Sequence, residues 1–140
     1  MADEQDYEVA REALANDFMS IASSTPDGNP WVVAVRNRGF LDGRLRWSSQ
    51  PDRYHSELIK DNAQVAFLLY APSPRVDDEA TLALYGRAVV DSIEQDAIEG
   101  ETYFATVTEA WSLISEKVDG QWRQKVQVDP SKIGDVRKAK

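Results

Sequence analysis

A chain of 140 residues with 42% hydrophobic content and no cysteine can build one core, and it excludes disulfides, thiolate nucleophiles, iron–sulfur clusters and cysteine-ligated zinc. A formal net charge of −8 argues against a nucleic-acid backbone or an anionic membrane surface as main partner, since both reward clustered Lys and Arg. With no apolar run near the ~20 residues of a membrane span and an acidic start, Met1 to Asp6, unlike a signal peptide, the expectation is one cytoplasmic domain over residues 1–140.

Residues Asp3 to Asn16 read as a helix with Tyr7, Ala10 and Leu14 on one face. Phe18 to Thr25 is strand-like, and Pro26-Asp27-Gly28-Asn29-Pro30 is a dense turn signal before a second strand, Trp31 to Arg36. Asp42-Gly43 then signals a hairpin between Gly39–Leu41 and Arg44–Ser49. Ser49-Gln50-Pro51-Asp52 has the form of a capping box opening a helix that ends near Asp61-Asn62.

Gln64 to Tyr70 is almost wholly apolar, as expected of a strand buried on both faces. A loop with two prolines, Ala71 to Glu79, leads to a long strand from Ala80 to Asp91, in which Gly86 and Ala88 leave room for something close by. Ser92 to Gly100 reads as a short acidic helix, while Glu101 to Glu109 mixes β-branched and aromatic residues with acids and fits no single period. A last hairpin, Trp111–Val118 and Gln121–Val128 around Asp119-Gly120, precedes Asp129-Pro130 and a basic tail, Lys132 to Lys140. Six or more short strands joined by hairpin turns predict a mainly β (α+β) fold, a small antiparallel barrel with peripheral helices.

Charge is unevenly spread. Five arginines (Arg36, Arg38, Arg44, Arg46, Arg53) stand against two acids between Arg36 and Arg53, while Asp91 to Glu109 holds six acids and no base. This basic island adjoins the predicted helix start, where Ser48, Ser49, Arg53 and His55, the only histidine, gather. Helix starts expose unpaired N–H groups at the positive end of the peptide dipoles, so the cluster suits a bound phosphate. Each member also has a plainer role: Ser49 as a helix cap, Arg53 as the partner of Glu57, His55 as a hydrogen-bonded structural residue, and the four tryptophans as core or dimer packing.

A single histidine rules out a His-cluster zinc site, nothing points to a Ser-His-Asp triad, and no dinucleotide, P-loop or calcium-loop pattern is present.

Taken in order, Asp27-Gly28-Asn29-Pro30, Asp42-Gly43, Leu45-Arg46-Trp47-Ser48-Ser49, His55-Ser56-Glu57-Leu58-Ile59, Asn62-Ala63-Gln64-Val65 and Tyr85-Gly86-Arg87-Ala88 resemble the pyridoxamine 5′-phosphate oxidase-like family of flavin-binding split β-barrels. The similarity covers Phe18 to Asp91. It implies a homodimer of six-stranded antiparallel split barrels with FMN in clefts at the subunit interface. By position, the phosphate would meet Arg36, Ser48, Ser49, Arg53 and His55, and the flavin ring would lie against the backbone of the second and third strands, at Trp31 to Val35, Val33 included, and at Trp47. The chain departs from the oxidases that make pyridoxal phosphate: Tyr54 follows Arg53 where they carry an Arg-Lys pair, and no substrate-phosphate pattern stands near the C-terminus. The expectation is therefore an FMN-dependent oxidoreductase with a small-molecule substrate or reduced nicotinamide as partner, a cofactor that supplies the chemistry, and no protein general base. Alternatives on the same barrel are a flavin binder without turnover, a deazaflavin protein, or a haem protein.

Overall fold

The computed structural model describes residues 2–49, 54–72, 81–96 and 100–138. Helix α1 (Glu4–Leu14) opens with a capping box: Asp3 Oδ1 accepts from the Asp6 amide at 3.0 Å, and Asp6 Oδ2 accepts from the Asp3 amide at 2.8 Å. Val9, Ala10, Ala13 and Leu14 recur at helical spacing and are buried against the sheet.

The strands are β1 (Phe18–Ser24), β2 (Pro30–Leu41), β3 (Arg44–Ser49), β4 (Gln64–Pro72), β5 (Thr81–Asp96) and β6 (Gly100–Ile114), with helix α2 (Tyr54–Asp61) between β3 and β4. They pair antiparallel in the order β1-β4-β5-β6-β3-β2, and β1 also pairs with β2. The six strands thus close into a barrel, so every edge in the ring is paired. Short pieces follow: β7 (Lys117–Val118) and β8 (Gln121–Trp122) form a separate hairpin, β9 (Val126–Val128) pairs with β6, and β10 (Val136–Arg137) pairs with β2 after a 3₁₀ turn at Pro130–Lys132. Trp47, Tyr103, Phe40, Ile21 and Leu45 are among the fully buried side chains. Among the described residues no helix is long and apolar enough to cross a membrane.

The hairpin signals do what their residues allow. Asp42 and Gly43 stand at φ 54° and 76°, and Asp119 and Gly120 at 53° and 79°, the left-handed pair that matches strand twist in a two-residue hairpin.

Four expectations are corrected. Trp31–Arg36 and Gly39–Leu41 belong to one strand, β2, whose register shifts between Asn37 and Gly39. Asn37 pins this bulge: its Nδ2 donates to the Leu14 and Asn16 carbonyls at 2.7 Å each, and its Oδ1 accepts from the Gly39 amide at 2.8 Å. β4 is buried on one face only, with Val65, Phe67 and Leu69 inside and Ala66, Leu68 and Tyr70 outside, because a barrel wall has one interior.

Of the predicted helix over Ser92–Gly100, Ser92–Asp96 are instead the end of β5, paired as Ser92↔Phe104, Ile93↔Tyr103 and Gln95↔Glu101, and Gly100 opens β6; a helix that short gains little alone, and the long β6 partner supplies a ladder. Trp111 to Ile114 continues β6 rather than opening the last hairpin, and the unassigned stretch Glu101–Glu109 is the body of that strand. The capping box through Asp52, Arg53, and most of the proline-bearing loop lie outside the described residues.

Candidate functional site

Strand β3 decides the geometry. Successive side chains of a strand point to opposite faces, so Leu45 and Trp47 enter the core while Arg44, Arg46 and Ser48 share the outer face. Arg36 stands directly across from Ser48 on β2. Arg38, placed by the bulge, donates from Nε to Ser48 Oγ at 2.9 Å, which leaves the hydroxyl proton free to donate outward.

Arg44 and Arg46 both lie over the Phe104 ring, their guanidinium carbons 4.9 and 5.1 Å from its centroid. Arg44 is neutralised by Asp91. The Arg44 hydrogen bond, assisted by Thr106, holds the Asp91 carboxyl below its usual range despite some burial. Arg46 has no ion pair among the described residues, and its Nε is buried without a hydrogen-bond partner. Arg36 has none either and rests on the Phe18 ring at 5.5 Å. The outer face of β2 and β3 therefore presents the guanidinium groups of Arg36 and Arg46, neither ion-paired among the described residues, beside one serine hydroxyl.

Ser49, one residue on, faces the other way. Its Oγ lies 2.7 Å from His55 Nε2, and His55 is only 2% exposed. Beside this pair, under α2, sits a second buried set: the Tyr103 hydroxyl is 2.6 Å from Ser56 Oγ and 3.0 Å from Glu101 Oε1. A carboxylate only accepts, so Tyr103 donates to Glu101 and receives from Ser56; Gln95 Nε2 donates to the same carboxylate at 3.0 Å. Burial first, with the Glu101 carboxylate adding and the Ser56 bond opposing, pushes the Tyr103 hydroxyl up to about 12.

The expected ligands thus separate. Arg36 and Ser48 are brought together on the outer face, whereas Ser49 and His55 are partnered with each other behind it. The Trp47 side chain is fully buried and stacked on Tyr103 at 5.4 Å with the rings 3° apart, so a ligand would meet the backbone of this residue and not its ring. Trp31 is exposed and meets Tyr54 edge-on at 5.2 Å, and Val33 is half-buried on the same strand. Arg53 lies outside the described residues. Arg38 and Arg46 join the candidate site. Counting back by two from Ser48 finds Arg46 in the sequence, but Arg38 reaches the serine only through the bulge.

No family model matches the chain, and no curated protein matches it. Solved structures do. A haem-binding protein from Mycobacterium smegmatis superposes with a TM-score of 0.69 at 16% identity, covering 93% of this chain and 60% of that one. The chain therefore spans 60% of the length of that relative. An F420 reductase matches at a TM-score of 0.57 and 19% identity over 71% of this chain and 94% of its own. A FAD-binding protein from Mesorhizobium loti matches at 0.60 and 15% identity, over 75% and 88%. The chain has the split β-barrel fold of these proteins, and identities this low speak for the fold alone.

Proposed function

We propose that this split barrel binds a phosphorylated flavin-type cofactor, FMN in the first instance, and works as a flavin-dependent oxidoreductase in the manner of the pyridoxamine 5′-phosphate oxidase-like proteins. The observation that carries this reading is the buried Nε of Arg46, without a hydrogen-bond partner among the described residues, beside Arg36, which has no ion pair among them, and Ser48, 7% exposed with its hydroxyl proton left over by Arg38. A buried donor without a partner costs ~1 to 3 kcal/mol, and a phosphate oxygen would meet it. The donor set also fits in kind, since guanidinium groups and a hydroxyl are what a dianionic phosphate selects. Fold relatives that bind haem or FAD or act on F420 support a redox cofactor on this scaffold.

Arg36, Arg46 and Ser48 would hold the phosphate, with Arg38 orienting the serine, and the ring would lie along the backbone of β2 from Trp31 to Val35, since the Trp31 and Val33 side chains project with Val35 from the opposite face. When bound, the flavin supplies hydride and electron transfer between a small substrate or reduced nicotinamide and an acceptor. The protein supplies anchoring and orientation. Haem is the weaker fit, because the one imidazole is buried and engaged with Ser49.

The same reading includes a homodimer. The outer faces of β1, β2 and β4 expose Phe18 (53%), Val32 (65%) and Tyr70 (56%) together with Leu68, an apolar area that a second copy would cover.

The test is titration of the purified protein with FMN, FAD, F420 and haem, followed by absorbance and flavin fluorescence, and then stopped-flow mixing of the loaded protein with NADH and NADPH. Saturable FMN binding with bleaching faster than free FMN is expected. Binding without bleaching by either donor or a substrate panel reduces the function to a carrier or sensor, and absence of flavin binding removes the reading altogether.

A further inference from the structure

A cleft of about 640 Å³ opens on the outer sheet surface, lined by Ala22, Ser23, Asn62, Ala66, Arg87 and Glu109 among others; no residue of β3 borders it. Its size falls within the ~300 to 1,000 Å³ of small-molecule sites. The cleft lies where β5 and β6 shift register after Arg87, so that Thr108 is the extra residue and its Oγ1 donates to the Arg87 carbonyl at 3.2 Å. Such bulges re-aim side chains. The close approach of the two strands there also forbids a side chain at Gly86, whose Cβ would come within 1.9 Å of the Glu109 carbonyl oxygen.

Two charges stand side by side at this bulge. Arg87 and Glu109 are direct register partners, which places their Cβ atoms ~5 Å apart. They do not pair with each other. The Arg87 guanidinium makes no hydrogen bond or ion pair among the described residues, while Glu109 Oε1 is held by Trp111 Nε1 at 2.9 Å. Asn62 is fixed by its bond to Ser24 Oγ at 3.2 Å. Ala22 and Ala66, opposite each other in register, leave the floor small and apolar, and they continue the face of Val32 and Leu68 proposed above to meet a second copy, which would then wall the cleft.

We infer that this cleft binds a free α-amino acid, with the carboxylate on Arg87 and the ammonium on Glu109. One guanidinium beside one carboxylate suits a ligand whose own two opposite charges share a single carbon. A phosphate or dicarboxylate would meet repulsion from Glu109, and a simple cation would meet it from Arg87. The alanine floor takes an apolar side chain.

The experiment is calorimetric titration of the cofactor-free protein with leucine, phenylalanine, glutamine and lysine, alongside 4-methylpentanoate and isoamylamine, which lack the ammonium or the carboxylate of leucine. Saturable binding of leucine or phenylalanine is expected, with both truncated analogues weaker by about tenfold or more. Arg87→Gln and Glu109→Gln should each weaken it by about the same factor, while thermal melts stay unchanged because both side chains reach the surface. Absence of saturable binding by all four amino acids overturns the inference. So does 4-methylpentanoate binding as well as leucine with Glu109→Gln silent, which would define a plain anion site. Neither result bears on the flavin.

Discussion

Ser48 and Ser49 are neighbours in the chain and belong to different worlds in the barrel. Ser48 joins an outer stripe of arginines in which charge is left open. Ser49 joins an inner set in which hydroxyl, imidazole and carboxylate are hydrogen-bonded, His55 with Ser49 and Tyr103 with Ser56 and Glu101, while Nε1 of Trp47, stacked on Tyr103, has no partner among the described residues. The outer stripe gains from an anion, whereas the hydrogen-bonded hydroxyls and carboxylate of the inner set do not call for one. A binding surface and a structural polar cluster can thus be read apart by whether their hydrogen bonds close.

That contrast can be broken from either side. The largest effect is expected inside: Trp47→Ala removes a fully buried ring stacked on Tyr103 and should cost ~3 to 5 kcal/mol in urea denaturation. On the outer side Arg46→Gln should leave the denaturation midpoint nearly unchanged and weaken FMN binding by ~1.5 to 3 kcal/mol. Unchanged affinity would place the phosphate elsewhere. Ser48→Ala, which removes one neutral donor, should weaken it less, by ~0.5 to 1.5 kcal/mol.

Tyr103→Phe sharpens the comparison, because it leaves Ser56 and the buried Glu101 short of one partner each. A loss of ~1 to 3 kcal/mol of stability is expected, with FMN affinity unaffected. The same hydroxyl gives a pH signature. Its value is raised from 10.0 to about 12 in the fold, so its stabilising contribution is complete below pH 10 and fades as pH climbs through about 12. Tyrosinate absorbance should therefore show Tyr103 titrating near 12, with Tyr85 also raised by its burial, until the fold gives way.

The smallest effect belongs to Arg44 and Asp91, whose side chains are both 37% exposed. The Asp91 carboxyl is lowered from 3.8, so the pair contributes above about pH 4 and the contribution is lost as pH falls through the lowered value. Exposure limits Arg44→Gln to ~0.2 to 1 kcal/mol at neutral pH, and its effect should vanish in acid.

The amino-acid sequence alone determined the local rules: hairpins at Asp42-Gly43 and Asp119-Gly120, the first helix, the alternation of β3, and the basic island that holds the candidate site. These depend on backbone sterics and residue period, which neighbours in the chain dictate. Only the tertiary structure decided that Ser92–Asp96 extends β5, because its partner lies on the following strand. Tertiary packing also put Trp47 and His55 inside, when an aromatic or an imidazole in a strand or helix start carries no mark of which side will be covered. Arg38 shows the limit most plainly. Its place beside Ser48 depends on a bulge pinned by Asn37 against the end of α1, a contact between segments that no local pattern announces.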